Sequence, residues 1–100
     1  MSPKAVNYKA NSIVYFKGDL NERVFILKAG KAILKYNDIE TGQEMQDLIQ
    51  TGEFFGVKSA LGKYPREETA LVVSDASMVQ FSVPEFEQVA LKNTRIIMKC

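Results

Sequence analysis

The chain reads as a single mostly β domain, a sandwich or barrel of short strands with a helix near its end, and three observations lead there. Six short runs rich in β-branched and aromatic residues precede residue 82, polar glycine-bearing turns punctuate them, and 100 residues leave room for one core only.

Ile13 to Phe16 is the first run, and Lys17-Gly18-Asp19 ends it. Arg23 to Ala29 and Ala32 to Tyr36 come next, with Ala29-Gly30-Lys31 between them read as a tight hairpin. Met45 to Ile49 follows a polar loop holding Thr41-Gly42. Thr69 to Val73 and Met78 to Phe81 are the last two runs, with Ser74-Asp75 read as the turn that joins them. Many short strands at this spacing indicate a sandwich or barrel rather than a parallel sheet with crossover helices. Ser82-Val83-Pro84-Glu85 then has the form of a helix start: a cap at Ser82 or Val83, Pro84 in the first turn, and Glu85 and Glu87 complementing the dipole. Phe86, Val89, Ala90, Ile96 and Ile97 form its apolar face, and the stretch Arg95 to Lys99 is read as its continuation. Part of that face is expected to meet a second copy of the chain, giving a homodimer through the C-terminal helix.

Composition excludes several functions. A formal charge of +1 and a pI near 7.8 supply no long-range field for nucleic acid or an anionic membrane, so neither is an expected partner and any anion site is local. The chain has no histidine, and Cys100 is its one cysteine. Ser-His and Cys-His nucleophiles and the usual zinc ligand sets are therefore excluded, and neither catalysis nor a metal is expected. Glu67 and Glu68 are adjacent and point apart rather than flanking one bond. No run of residues is apolar enough for a signal peptide or a membrane span, and a lone thiol fits a reducing compartment, so a cytoplasmic location is expected.

The chemistry concentrates between Gly52 and Val73. A Gly-Phe-Phe-Gly turn opens a helix-capable run, Val57 to Leu61, and Pro65-Arg66 follows. Backbone N–H groups of such a turn and a guanidinium a few residues later converge as an anion clamp. The order Phe55, Gly56, Ser59, Leu61, Pro65, Arg66 and Thr69 resembles the phosphate-binding cassette of cyclic nucleotide-binding domains. Phe16, Gly18, the strand Val24-Phe25-Ile26-Leu27 and Gly30 are similar to that family's turn, strand and glycine pattern, so the likeness runs from about residue 11 to 98.

The resemblance implies an eight-stranded jelly roll spanning residues 1–100, with a short cassette helix and a C-terminal helix. It also implies a non-catalytic sensor whose ligand is a cyclic nucleotide, cAMP or cGMP. The site residues it implies are Phe55, Gly56, Val57, Ser59, Ala60, Pro65, Arg66, Glu67 and Thr69. By position Arg66 is the phosphate partner, since a buried cyclic phosphate must be paired. Gly56 permits close backbone approach, Ser59 supplies an amide or hydroxyl, and Ala60 supplies an amide; plain turn and helix geometry explains all three equally well. Thr69 offers a hydroxyl near the purine or is simply a strand former. Phe54, Phe55 and Tyr64 either stack on a base or belong to the core.

Val57 departs from the pattern, because the family carries a glutamate there that accepts from the ribose 2′-hydroxyl. The loss weakens binding by roughly ten- to a hundredfold, and Val57→Glu is expected to tighten it. Glu67 or Glu68 either reaches the ribose from the other side or neutralises Arg66 as an internal anion. The alternative reading is a degenerate module without a nucleotide, acting through protein contact or dimerisation.

Overall fold

The computed structural model describes residues 2–92, 96, 98 and 99. Along the chain run β1 (Lys4–Tyr8), β2 (Ile13–Tyr15), β3 (Val24–Asn37), β4 (Glu44–Ile49) and β5 (Phe54–Phe55). After them come α1 (Val57–Gly62), β6 (Thr69–Phe81), α2 (Val83–Lys92) and β7 (Met98–Lys99). All pairings are antiparallel except β5 with β7, which makes the sheet mixed.

Two long strands, β3 and β6, organise everything else. They pair from Val24 to Lys35 along the whole of β6, but the register shifts between Leu27 and Ala32. On one side of the shift, Val24 to Leu27 face Met78 to Phe81 and are flanked by β5 and β1. On the other, Ala32 to Lys35 face Thr69 to Val72 and are flanked by β4 and β2. Each long strand thus serves as two, and the seven strands of the mixed sheet fold over as a jelly roll. The main apolar cluster draws Phe25, Leu27, Ala76 and Met78 from the first arm and Ala32, Leu34, Ala70 and Val72 from the second, which puts it between the arms.

This arrangement corrects two sequence expectations. Ala29-Gly30-Lys31 is not a hairpin and Ser74-Asp75 is not a turn; both are bends inside continuous strands. They sit against each other, since a Cβ added at Gly30 would lie 2.3 Å from the Asp75 carbonyl oxygen, and Gly30 holds φ at +88°. Only glycine fits there, because any Cβ would meet backbone and the positive φ is costly for an L side chain. β1 was not anticipated either. Its burial pattern is largely exposed, so it carries little of the apolar signal that marks a strand in sequence.

α2 begins as expected. Ser82 Oγ accepts from the Glu85 N–H at 3.3 Å while the Glu85 carboxylate accepts from the Ser82 N–H at 2.8 Å, a reciprocal capping box. Its end differs from the reading. The helix is described from Val83 to Lys92, Ile96 is not helical, and Met98–Lys99 pairs in parallel with Phe54–Phe55. Arg95, Ile97 and Cys100 lie outside the described residues. Phe86 is buried, and Val89 and Ile96 pack beside it, in a second cluster with Val24, Phe54, Val57, Ala60 and Phe81. Much of the helix face assigned to a partner therefore covers the outer side of its own sheet.

Candidate functional site

The site forms where the turn after β2 meets the segment after α1. Main-chain bonds lock the two together: the Gly18 N–H donates to the Arg66 carbonyl at 2.8 Å, and the Arg66 N–H donates to the Asp19 carbonyl at 2.9 Å. Thr69 Oγ1 accepts from the Lys17 N–H at 2.9 Å, so its hydroxyl ties the same turn to the start of β6. Pro65, exposed, precedes the docked residue and donates no N–H of its own.

With its backbone pinned at the surface turn, Arg66 sends its side chain inward. It is only 2% exposed. Nη1 donates to the Gly56 carbonyl at 2.6 Å and to Ser59 Oγ at 2.8 Å. Nη2 donates to Asn21 Oδ1 at 3.2 Å and to the Arg23 carbonyl. The guanidinium carbon lies 4.0 Å over the centre of the Tyr15 ring, a cation–π contact. Gly56 makes this close approach possible, for a Cβ there would come within 2.7 Å of Nη1, and its φ of +74° is left-handed.

Every one of these acceptors is neutral. Among the described residues the ion pairs are Lys35 with Glu44 and Lys58 with Glu67, and no carboxylate pairs with Arg66. Among the described residues its Nε is buried and without a hydrogen-bond partner. Burial pulls the guanidinium below its ordinary pKa, while nearby Tyr15, Glu68 and Asp19 push the other way. It stays protonated, as arginine does in proteins. The result is a buried cation with both terminal nitrogens bonded to neutral acceptors, one donor left over and its charge not neutralised by direct pairing, which suits a cradle for a monoanion.

The other residues named from sequence divide. Gly56 and Ser59 join Arg66. Val57, 5% exposed, and Ala60 face the opposite way and belong to the outer apolar cluster with Phe54 and Phe86. Val57 is thus an anchor for α1 on the sheet. Glu67 is exposed and pairs with Lys58 at 3.8 Å, away from Arg66. Phe55 stacks on Phe25 with centroids 5.3 Å apart, and Phe54 meets Phe86 edge-on at 5.2 Å, so both rings are core.

Sequence reasoning missed Tyr15, Asn21 and the Arg23 carbonyl. It named Glu68 without placing it. The carboxylate of Glu68 accepts from the Tyr15 hydroxyl at 2.8 Å. Burial, chiefly, holds the Glu68 pKa above its ordinary value, partly offset by Tyr15 and Arg66. Tyr15 is pushed well above the usual phenol range by the same burial and by Glu68. Nothing local in the run Ile13 to Phe16 signals this role. Among the described residues no three His, Cys, Asp or Glu side chains gather as metal ligands, and no helix is long and apolar enough to cross a membrane.

The chain is similar to several known proteins. It is 22% identical over 86 residues to an uncharacterized ABC transporter ATP-binding protein of Mycobacterium tuberculosis, covering 86% of this chain and 26% of that protein. It thus spans about a quarter of the length of the curated relatives it matches. Among solved structures it resembles the Thermus thermophilus catabolite activator protein, with a TM-score of 0.77 at 23% identity, covering 90% of this chain and 42% of that one. The regulatory domain of Toxoplasma gondii PKA, solved with cAMP, gives 0.75 at 14% identity, covering 86% of this chain and 33% of that one. At such identities these likenesses establish the fold. The cyclic nucleotide-binding domain matches residues 5–93, from β1 through α2, and the chain belongs to that family.

Proposed function

We propose that residues 1–100 form a non-catalytic, cytoplasmic sensor domain that binds a cyclic nucleotide, cAMP or cGMP, with Arg66 as the partner of the cyclic phosphate. One observation carries this reading: Arg66 is buried at the cassette, bonded only to neutral acceptors, with Nε still free to donate among the described residues. A cyclic phosphate is a monoanion whose oxygens accept in the geometry that a guanidinium offers. Gly56 and Ser59, already against Arg66, complete the contact, and exchange of the Asn21 and Arg23 bonds for phosphate couples ligand entry to the turn after β2.

Titration calorimetry of the wild type and Arg66→Ala with cyclic AMP and cyclic GMP tests it. The wild type is expected to bind at least one, and the variant to lose at least a hundredfold, the loss of a buried charged partner of about 3 kcal/mol or more. Equal affinities would remove Arg66 from the site.

A second reading is a degenerate module that holds no nucleotide and acts by protein contact, including a homodimer through α2. Val57 favours it, having an apolar anchoring role where the family carries an acceptor. Leu91, 80% exposed on α2, favours it as well. A chain that binds neither nucleotide yet sediments as a dimer would be that module.

A further inference from the structure

A cyclic phosphate held by Arg66 brings a second group with it. The ribose 2′-hydroxyl sits on the carbon adjacent to the one that bears the esterified 3′-oxygen, so it enters the barrel beside the phosphate and needs an acceptor once it leaves water. Val57 has no acceptor atom, and its side chain is buried in the outer cluster. Glu67 turns outward to Lys58. Glu68 is placed differently. It is half-buried two residues after Arg66, and the Tyr15 hydroxyl donates to its Oε2 at 2.8 Å. The Tyr15 ring is also the one lying 4.0 Å from the Arg66 guanidinium carbon, so a single buried side chain locates both the cation and the carboxylate. Among the described residues Oε1 of Glu68 has no hydrogen-bond partner, and a carboxylate has about four lone-pair sites, of which Tyr15 uses one. A carboxylate and a phosphate share a site only where a cation offsets their repulsion, and Arg66 is that cation.

We infer that Glu68, oriented by Tyr15, accepts from the ribose 2′-hydroxyl and makes this site selective for a cyclic ribonucleotide over its 2′-deoxy form. The inference rests on the cyclic nucleotide reading above. It moves the acceptor from the start of α1 to the far side of Arg66, and it makes Tyr15 a positioning residue.

Calorimetry with cyclic AMP and 2′-deoxy cyclic AMP tests it on the wild type, Glu68→Ala, Glu68→Gln and Tyr15→Phe. The wild type should prefer the ribonucleotide by about tenfold or more, as expected for a hydrogen bond to a charged group. Glu68→Ala should shrink that preference to about twofold or less by weakening cyclic AMP while leaving the deoxy form nearly unchanged. Glu68→Gln, which keeps the shape and a neutral acceptor, should fall between, and so should Tyr15→Phe, which keeps the ring over Arg66 but frees the carboxylate. A wild type that binds cyclic AMP yet discriminates less than about twofold overturns the inference, as does a Glu68→Ala protein with the wild-type ratio. Failure of the wild type to bind either compound is a different result: it overturns the site reading itself, and this inference with it.

Discussion

The two sides of α1 make the most instructive contrast in the molecule. Val57 and Ala60, one turn apart, lie in the apolar cluster beneath α2 together with Phe54, Phe81 and Phe86. Ser59, between them in sequence, turns the other way and accepts from Arg66. One side is closed, since hydrocarbon meets hydrocarbon and nothing is left unpaired. The other side is polar and incomplete, for its hydrogen bonds are nearly all made while its positive charge has no paired anion. The short helix is therefore held in place from outside and built for chemistry on the inside, and a substitution's effect depends on the side it falls on.

The largest expected effect comes from mixing the two. Val57→Glu looks from sequence like restoration of a missing ligand contact, but the side chain lies in the outer cluster, so the carboxylate would be buried without a partner. A loss of about 3–5 kcal/mol in urea unfolding is expected, with no gain in nucleotide affinity. A variant of wild-type stability that binds more tightly would show that residue 57 reaches the ligand side and would break the contrast.

A smaller effect belongs to the polar side. Burial raises the Glu68 pKa above its ordinary 4.5 in the folded state. The folded protein then holds that proton more tightly than the unfolded chain, so the associated stability is present below 4.5 and is lost as pH rises through the folded value. Relative to Glu68→Gln, the wild type should lose stability as pH increases above 4.5, a difference read from unfolding curves across that range. A parallel pH dependence in the two proteins would mean that Glu68 is solvated as an ordinary surface carboxylate.

The smallest effect lies on the surface of the same cassette. Lys58 and Glu67 pair at 3.8 Å with side chains 63% and 61% exposed. Lys58→Ala should change stability by no more than about 0.5 kcal/mol and leave ligand affinity within about twofold. A loss of binding comparable to that of Arg66→Ala would place Lys58 at the phosphate and extend the polar side to the rim.

The difference in legibility between these parts has a physical basis. Gly56, Ser59, Pro65 and Arg66 could be read because they lie within eleven consecutive residues and their chemistry is local: a left-handed glycine, a hydroxyl, a fork of donors. The helix start at Ser82 was legible for the same reason, as its capping box closes over three residues. Tyr15 was not legible as a site residue. It lies in a run that reads as an ordinary strand, 51 positions before Arg66, and its neighbourhood is set by the turn Lys17-Gly18-Asp19 docking on the cassette. The packing of Val57 was not legible either, because its sequence position is in the motif whereas the direction of its side chain follows from how α1 packs.

By itself, then, the sequence determined the class of the fold, most strand positions, the start of α2 and the identity of the cationic group, since alternation, caps and glycine conformations are decided within a few residues. Tertiary structure alone decided that Gly30 and Ser74-Asp75 are two bends pressed together rather than a hairpin and a turn, that Met98–Lys99 returns to the sheet, and which side of α1 each residue serves. These are long-range pairings, and a turn signal is the same whether a chain reverses or merely bends. What distinguishes the two is the backbone on the other side: at Gly30 it is the carbonyl of Asp75, 2.3 Å from where a Cβ would be.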